Sequence, residues 1–241
     1  MSAAEGGREN DESSRTRHAI VTGASSGIGA AIAQCLLAHG WRVTGLDRQE
    51  TPGGPKPDGY EFERIDLSDT GAIAALFSGY RAVDALVHAA GFMRVNPVGA
   101  LNMQDGEAMW RVHVLAAEAM INAMVPGMPD GGRILLVGSR TAMGAAGRSQ
   151  YAATKAALLG LARSCALELA SRGITVNVIA PGATETPMLH DPARQGTPPR
   201  LPPIGRFIQP REIAELAAYL LGPFGAAITG QQITICGGSS L

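Results

Sequence analysis

The chain has 241 residues, of which 46% are hydrophobic and 17% charged, and a formal net charge of −1. A chain of that length buries a sizeable core without staples, and its charge balance gives no electrostatic case for nucleic acid or an anionic membrane. No apolar run approaches the ~18 residues of a membrane span, and three scattered cysteines, Cys35, Cys165 and Cys236, suit neither a disulfide framework nor a metal site.

Residues 1–17 are polar, lack the apolar segment of a signal peptide, and read as a solvated tail in a cytoplasmic protein. "HAIVTG" from His18 is a buried strand, and "GIGAAIAQCLLAHG" a helix closed by Gly40. "WRVTGLD" and "YEFERIDL" are the second and third strands, joined by a linker too rich in Pro and Gly to be helical. "DTGAIAALFSGY" is a short helix and "VDALVHAAG" the next strand. A long helix, "MQDGEAMWRVHVLAAEAMINAMVP", ends near Pro126 and precedes the strand "GRILLVGS". "QYAATKAALLGLARSCALELASRG" is a second long helix, followed by the strand "ITVNVIAPG", the helix "QPREIAELAAYLLG" and a last strand, "GQQITICGG". This alternation predicts an α/β fold: one doubly wound Rossmann-type domain over 18–241, with about seven parallel strands and helices on both faces. The Pro-rich stretch "TPPRLPPIG" falls between elements, in a segment (185–208) expected to be a loop over a site.

Two groups of residues carry chemistry. The loop "TGASSGIG" lies between the first strand and the first helix, where glycines let the backbone approach a pyrophosphate and the helix N-terminus offers it unpaired N–H groups. Gly23, Ser25, Ser26, Gly27, Ile28 and Gly29 are the expected contacts. Asp47 ends the second strand, 18 residues after Gly29. A carboxylate there accepts both ribose hydroxyls of an adenosine and repels a 2′-phosphate, which favours NAD over NADP. Arg48 beside it could instead pair with that phosphate. The second group is Tyr151 and Lys155, one helical turn apart on one face. A free tyrosine is a poor base at neutral pH, and bringing its pKa from about 10 to about 7 takes ~4 kcal/mol of differential stabilisation, in the direction a nearby ammonium supplies.

With the glycine loop upstream, "YAATK" resembles the Tyr-x-x-x-Lys of the short-chain dehydrogenases/reductases, and so do "DL" at Asp66–Leu67, "HAAG" at 88–91, "GS" at 138–139, "VNVIAPG" and "ITGQQITICGG". The resemblance covers nearly the whole chain from about His18. It implies hydride transfer between a nicotinamide cofactor and an alcohol or ketone. Ser139 would hold the substrate oxygen, Tyr151 would exchange a proton with it, and Lys155 would hold the nicotinamide ribose. Asp66 and Leu67 would contact the adenine. Ala89, Ala90 and Gly91 would pass the cofactor, as would Pro181, Gly182, Thr184 and Thr186 on the nicotinamide side. It also implies a homo-oligomer, a tetramer or dimer, formed through the two long helices. An NADPH-dependent 3-oxoacyl thioester reductase and a weakly active NAD-binding regulatory protein are the alternatives, and "VDALVHAAGFMR" resembles the ring-diol dehydrogenases of the family.

The pattern departs from the family in three places. Ser139 stands 12 residues before Tyr151, where many members have 13. The usual Asn-Asn-Ala-Gly turn is "HAAG", whose lost amides would loosen it. His113, thirteen residues before Pro126, occupies the position of a family asparagine that helps hold a water chain to the lysine. An imidazole there is either an active proton relay, giving a near-neutral ionisation, or a packed core group. Arg94 and Arg140 are candidates for holding an anionic group on the substrate.

Overall fold

The computed structural model describes residues 15–50, 57–192 and 199–241. Seven parallel strands form one sheet: β1 (His18–Thr22), β2 (Arg42–Asp47), β3 (Tyr60–Arg64), β4 (Ala85–His88), β5 (Arg133–Val137), β6 (Thr175–Pro181) and β7 (Gln232–Ile235). Their order across the sheet is β3-β2-β1-β4-β5-β6-β7. The central strands are apolar almost without break because both faces are covered. In β1, Ile20 enters the core on one face with Leu86, Ile134 and Val178. Ala19 and Val21 enter the core on the other, with Val43, Val87 and Leu135.

The first face is covered by α2 (Thr70–Phe77), α4 (Ala116–Met124) and α5 (Ser149–Leu169), whose Phe77, Met120 and Leu158 are buried there. The second is covered by α1 (Gly27–Ala38) and α6 (Pro210–Leu221), through Ile32, Leu36, Ile213 and Ala217. The chain leaves β1 toward β2 and β3, then returns to place β4 on β1's other side. Loops after β1 and β4 therefore diverge, opening a crevice beyond the carboxyl ends of the strands.

The long helix predicted up to Pro126 is not uniform. It runs as α3 (Met103–Trp110), one π turn (Arg111–Leu115) and then α4. A wider turn frees a backbone carbonyl from the helical ladder, and here the Val112 carbonyl accepts a hydrogen bond from His88 Nε2, 3.0 Å away. Of the polar tail expected over 1–17, the described part is anchored: Arg15 pairs with Asp84, and the Arg17 guanidinium stacks 4.1 Å over Trp41. The rest of the tail, residues 51–56 of the Pro/Gly linker and 193–198 of the late loop lie outside the described residues. Among the described residues no helix is long and apolar enough to cross a membrane.

Met120 is fully buried between α2 and the sheet. Met120→Ala should lower the free energy of urea unfolding by about 2–5 kcal/mol, the cost of a core cavity, with an unchanged m-value.

Candidate active site

At the crevice, the sequence builds a helix start suited to an anion. Ser26 caps α1 in an extended conformation, yet its side chain makes no capping bond, and no acidic residue lies in the first turn. The first N–H groups of α1 are thus left to a ligand. A Cβ on Gly29 would fall 2.2 Å from the Gly23 carbonyl oxygen, so only glycine lets the loop fold over the helix this closely. Asp47 stands at the rim, its carboxylate accepting the Ser25 N–H at 3.2 Å and the Arg48 N–H at 2.7 Å. Asp66 accepts the Ser68 N–H at 2.9 Å, a bond that holds its carboxyl below the usual range.

From there a cleft of about 1180 Å³ runs past Gly91 and Lys155 to Ser139 and Tyr151. It brings together Gly23, Ser26, Gly27, Ile28, Gly29, Asp47 and Arg48 from the predicted adenosine end, and Asp66 and Leu67 beside them. Ala89, Ala90, Gly91, Pro181, Gly182, Thr184 and Thr186 line it further along. Ser25 is not in the wall; its N–H is spent on Asp47.

Tyr151 and Lys155 are buried, 5% and 4% exposed, and the Lys155 Nζ lies 5.9 Å from the tyrosine ring centroid. That Nζ donates to the Val137 carbonyl at the end of β5, at 2.8 Å. Burial brings the Lys155 pKa down to about 7. The shortened segment after Ser139 forms a 3₁₀ turn over Arg140–Met143. Ser139 Oγ accepts the Thr141 N–H at 3.1 Å, which leaves its own hydrogen to donate into the cleft.

His113 lies in the π turn, fully buried, and is not in the cleft wall. Its Nε2 accepts the Phe92 N–H at 3.2 Å, and its Nδ1 lies 2.8 Å from Thr154 Oγ1. Thr154 in turn donates to the Tyr151 carbonyl, which makes its oxygen the acceptor and fixes His113 as the neutral Nδ1–H tautomer. Burial first, then the Lys155 ammonium and His88, push its pKa well below the ordinary histidine value. A near-neutral ionisation at His113 therefore does not fit this site: both ring nitrogens are engaged and the charged form is disfavoured. The ring instead stands edge-on to Tyr151, with centroids 5.7 Å apart at 88°. A Cβ on Gly91 would lie 2.9 Å from His113 Nε2, so the glycine of the turn makes room for the imidazole.

The "HAAG" turn is not loosened. Thr22 Oγ1 accepts the N–H groups of Ala89 and Ala90 at 3.1 and 3.0 Å. Its own proton goes to His88 Nδ1, 2.9 Å away, while His88 Nε2–H holds Val112. One hydroxyl and one imidazole thus tie the glycine loop's strand, the Ala89–Gly91 turn and the π turn together. Sequence reasoning missed Thr22, His88 and Thr154; a histidine at the end of a wholly apolar strand was the available signal for His88. Arg94, expected near the substrate, does not line the cleft. Its guanidinium lies between Asp105 and Asp191, at 4.0 and 3.8 Å, and over the Phe92 ring. Arg140 does line it.

A family model described as enoyl-(acyl carrier protein) reductase matches residues 23–240. The chain belongs to the short-chain dehydrogenase/reductase family. It is 37% identical over 234 residues to a 3-oxoacyl-(acyl-carrier-protein) reductase of Vibrio cholerae, covering 91% of this chain and 96% of that one. It is 34% identical over 242 residues to the 2,3-dihydro-2,3-dihydroxybenzoate dehydrogenase of Escherichia coli, covering 92% and 96%. Among solved structures it resembles a blue fluorescent protein from a metagenomic library in complex with NADPH, at a TM-score of 0.81 and 31% identity over 93% of this chain and 98% of that one. This short-chain dehydrogenase/reductase is a hydride-transfer oxidoreductase that uses a nicotinamide cofactor on a small-molecule hydroxyl or keto group.

The buried histidines make its stability acid-sensitive. His88 has its pKa lowered to about 3 and His18 to about 4, in each case chiefly by burial. Between those values and the ordinary 6.5, the unfolded chain binds protons that the folded chain refuses, so stability is full above that window and falls as pH falls through it. Each such histidine contributes a slope of about 1.4 kcal/mol per pH unit inside the window. Urea unfolding from pH 7 to 5 should show a steep decline, and His88→Gln should remove one histidine's share of the slope.

Proposed function

We propose that Ser139, Tyr151 and Lys155 handle the proton in the oxidation of a secondary alcohol, or the reverse reduction of its ketone, with NAD as the cofactor. The observation that carries this is the placement of a buried amine one helical turn from a buried phenol, facing a serine hydroxyl in the same cleft. The residues present fit a dinucleotide: the uncapped start of α1 suits the pyrophosphate, and the Gly23–Gly29 contact has no room for a side chain that would block it. Gly27 and Gly29 would lie under the pyrophosphate, Asp47 against the adenosine ribose, Asp66 and Leu67 beside the adenine, and Thr186 near the nicotinamide. When bound, the nicotinamide accepts or supplies the hydride.

The chain's own groups manage the rest. The Ser139 O–H donates to the substrate oxygen and holds it against the tyrosine. Tyr151 takes the hydroxyl proton during oxidation and returns it during reduction. Lys155 spends one of its three donors on Val137, leaving two for the ribose hydroxyls and solvent. An ammonium at Lys155 favours the phenolate of Tyr151, and the phenolate favours the ammonium, so the two protons move as a coupled pair.

For the cofactor's identity, Asp47 supports NAD, because a carboxylate held at the rim by two N–H groups opposes a 2′-phosphate. A second reading, an NADPH-dependent 3-oxoacyl thioester reductase, is supported by the reductase relatives and by the NADPH in the metagenomic neighbour. Arg48, also in the wall, is the residue such a phosphate would use. We also infer a homo-oligomer in a reducing cytoplasm: Met103 and Trp110 of α3 are 69% and 40% exposed beside a groove shared with α5, and the cysteines are free.

Tyr151→Phe should lower kcat at least tenfold while leaving the NAD dissociation constant within about twofold, read by turnover and by NADH fluorescence titration; retained turnover would reassign the acid/base. Wild-type protein should show a higher kcat/KM with NAD than with NADP, and Asp47→Ser should narrow that ratio. A wild-type preference for NADPH would favour the second reading.

A further inference from the structure

The charges along the cleft are unevenly divided. Asp47 and Asp66 lie in the wall at the adenosine end, next to Arg48. Beyond Lys155, the charged side chains in the wall are Arg140, Arg148 and Arg200, and no carboxylate joins them among the described residues. Asp105 and Asp191 flank Arg94, and Glu185 accepts from His190 Nε2 at 2.6 Å. Arg140 forms no ion pair among the described residues. The same end is also apolar: Met93 packs on Tyr151, with Phe92 and Met188 against them.

A guanidinium such as Arg140, in a part-enclosed wall with no carboxylate in that wall, carries a positive potential that is screened less than at an open surface. An anion relieves it, and a guanidinium holds a carboxylate with two parallel hydrogen bonds. Position narrows the choice. Arg140 directly follows Ser139, so its Cα lies about 3.8 Å from that of the residue that would hold the reacting oxygen. An anionic group on Arg140 is then only a side chain's reach from the reacting carbon.

We propose that the substrate is a hydroxy or oxo carboxylic acid whose carboxylate is held by Arg140, with Arg148 and Arg200 adding to the field and Phe92, Met93 and Met188 receiving its apolar body. This rests on the oxidoreductase reading above and names the substrate class for it. Arg140 acts as a specificity-determining residue: its contact is made equally before and during hydride transfer, so its loss appears mainly in KM.

The test uses the full chain with NAD or NADP and matched pairs of 3-oxocyclohexanecarboxylate, 4-oxocyclohexanecarboxylate and 3-oxobutanoate with their methyl esters. The acids should exceed their esters in kcat/KM at least tenfold, and the ratio should shrink as salt rises. Arg140→Gln should bring the ratio to within about threefold of one, chiefly through the KM of the acid. Arg140→Lys should keep part of the preference, and Arg94→Gln should leave the ratio unchanged. Acid and ester used equally by the wild type, or a ratio unmoved by Arg140→Gln, would overturn the proposal. Should no pair turn over with either cofactor, calorimetric binding of 3-oxocyclohexanecarboxylate and its methyl ester decides independently of activity. Tighter binding of the acid, lost in Arg140→Gln, upholds the anion site while the oxidoreductase reading of these residues fails; equal binding sinks the anion site.

Discussion

The burial of one ammonium group is the constraint around which the site is built. Lys155 is drawn beneath the carboxyl ends of the strands, where desolvation alone brings its pKa to about 7. A lysine in that position is poorly tolerated unless its donors are used. One is spent on Val137 at the end of β5, and the others face the cleft. With one of its three donors held by the protein, the amine suits a ligand with hydroxyl groups and a neighbour that can become an anion. Tyr151, one turn away on α5, answers the second requirement. The sheet answers the first by opening its crevice between β1 and β4 at that point.

The two histidines beside this centre carry no charge of their own. His88 and His113 both lie close enough to oppose a positive charge on Lys155, and both are held neutral by hydrogen bonds that consume each ring nitrogen. Their work is mechanical. His88 joins Thr22 to the Val112 carbonyl, which the π turn makes available. His113 joins the backbone at Phe92 to Thr154 and so to the turn that presents Tyr151. The glycine loop, the "HAAG" turn, the long helix and the tyrosine helix are thus one hydrogen-bonded unit. A shift of the Ala89–Gly91 turn would therefore be felt at the Tyr151 phenol.

The fold was legible in the sequence because continuous apolar runs such as "HAIVTG" and "GRILLVG" have few other solutions than a sheet covered on both faces. Most of the candidate site was legible too, where chemistry depends on local spacing: Tyr151 and Lys155 at one helical turn, the glycines between strand and helix, Asp47 at a strand end. What escaped depends on tertiary direction. Arg94 follows the cofactor turn in sequence, yet its side chain swings to Asp105 and Asp191. Nothing local reveals that Thr22 would cap the backbone of Ala89 and Ala90, or that a carbonyl released in a π turn would receive His88. His113 stood at a position with two readings, and only the partners of its two nitrogens separate them.

The state of Lys155 is directly measurable, since Lys56 and Lys155 are the two lysines of the chain. Protein labelled at lysine Cε can be titrated by NMR from pH 5 to 11 without cofactor. One of the two signals should titrate near pH 7, vanish in Lys155→Met, and move upward on addition of NAD, whose ribose hydroxyls would solvate the ammonium. If the signal assigned to Lys155 instead titrates near the ordinary lysine value of about 10.4, the amine is not desolvated, and the coupling of buried lysine to tyrosine at the heart of this site is wrong.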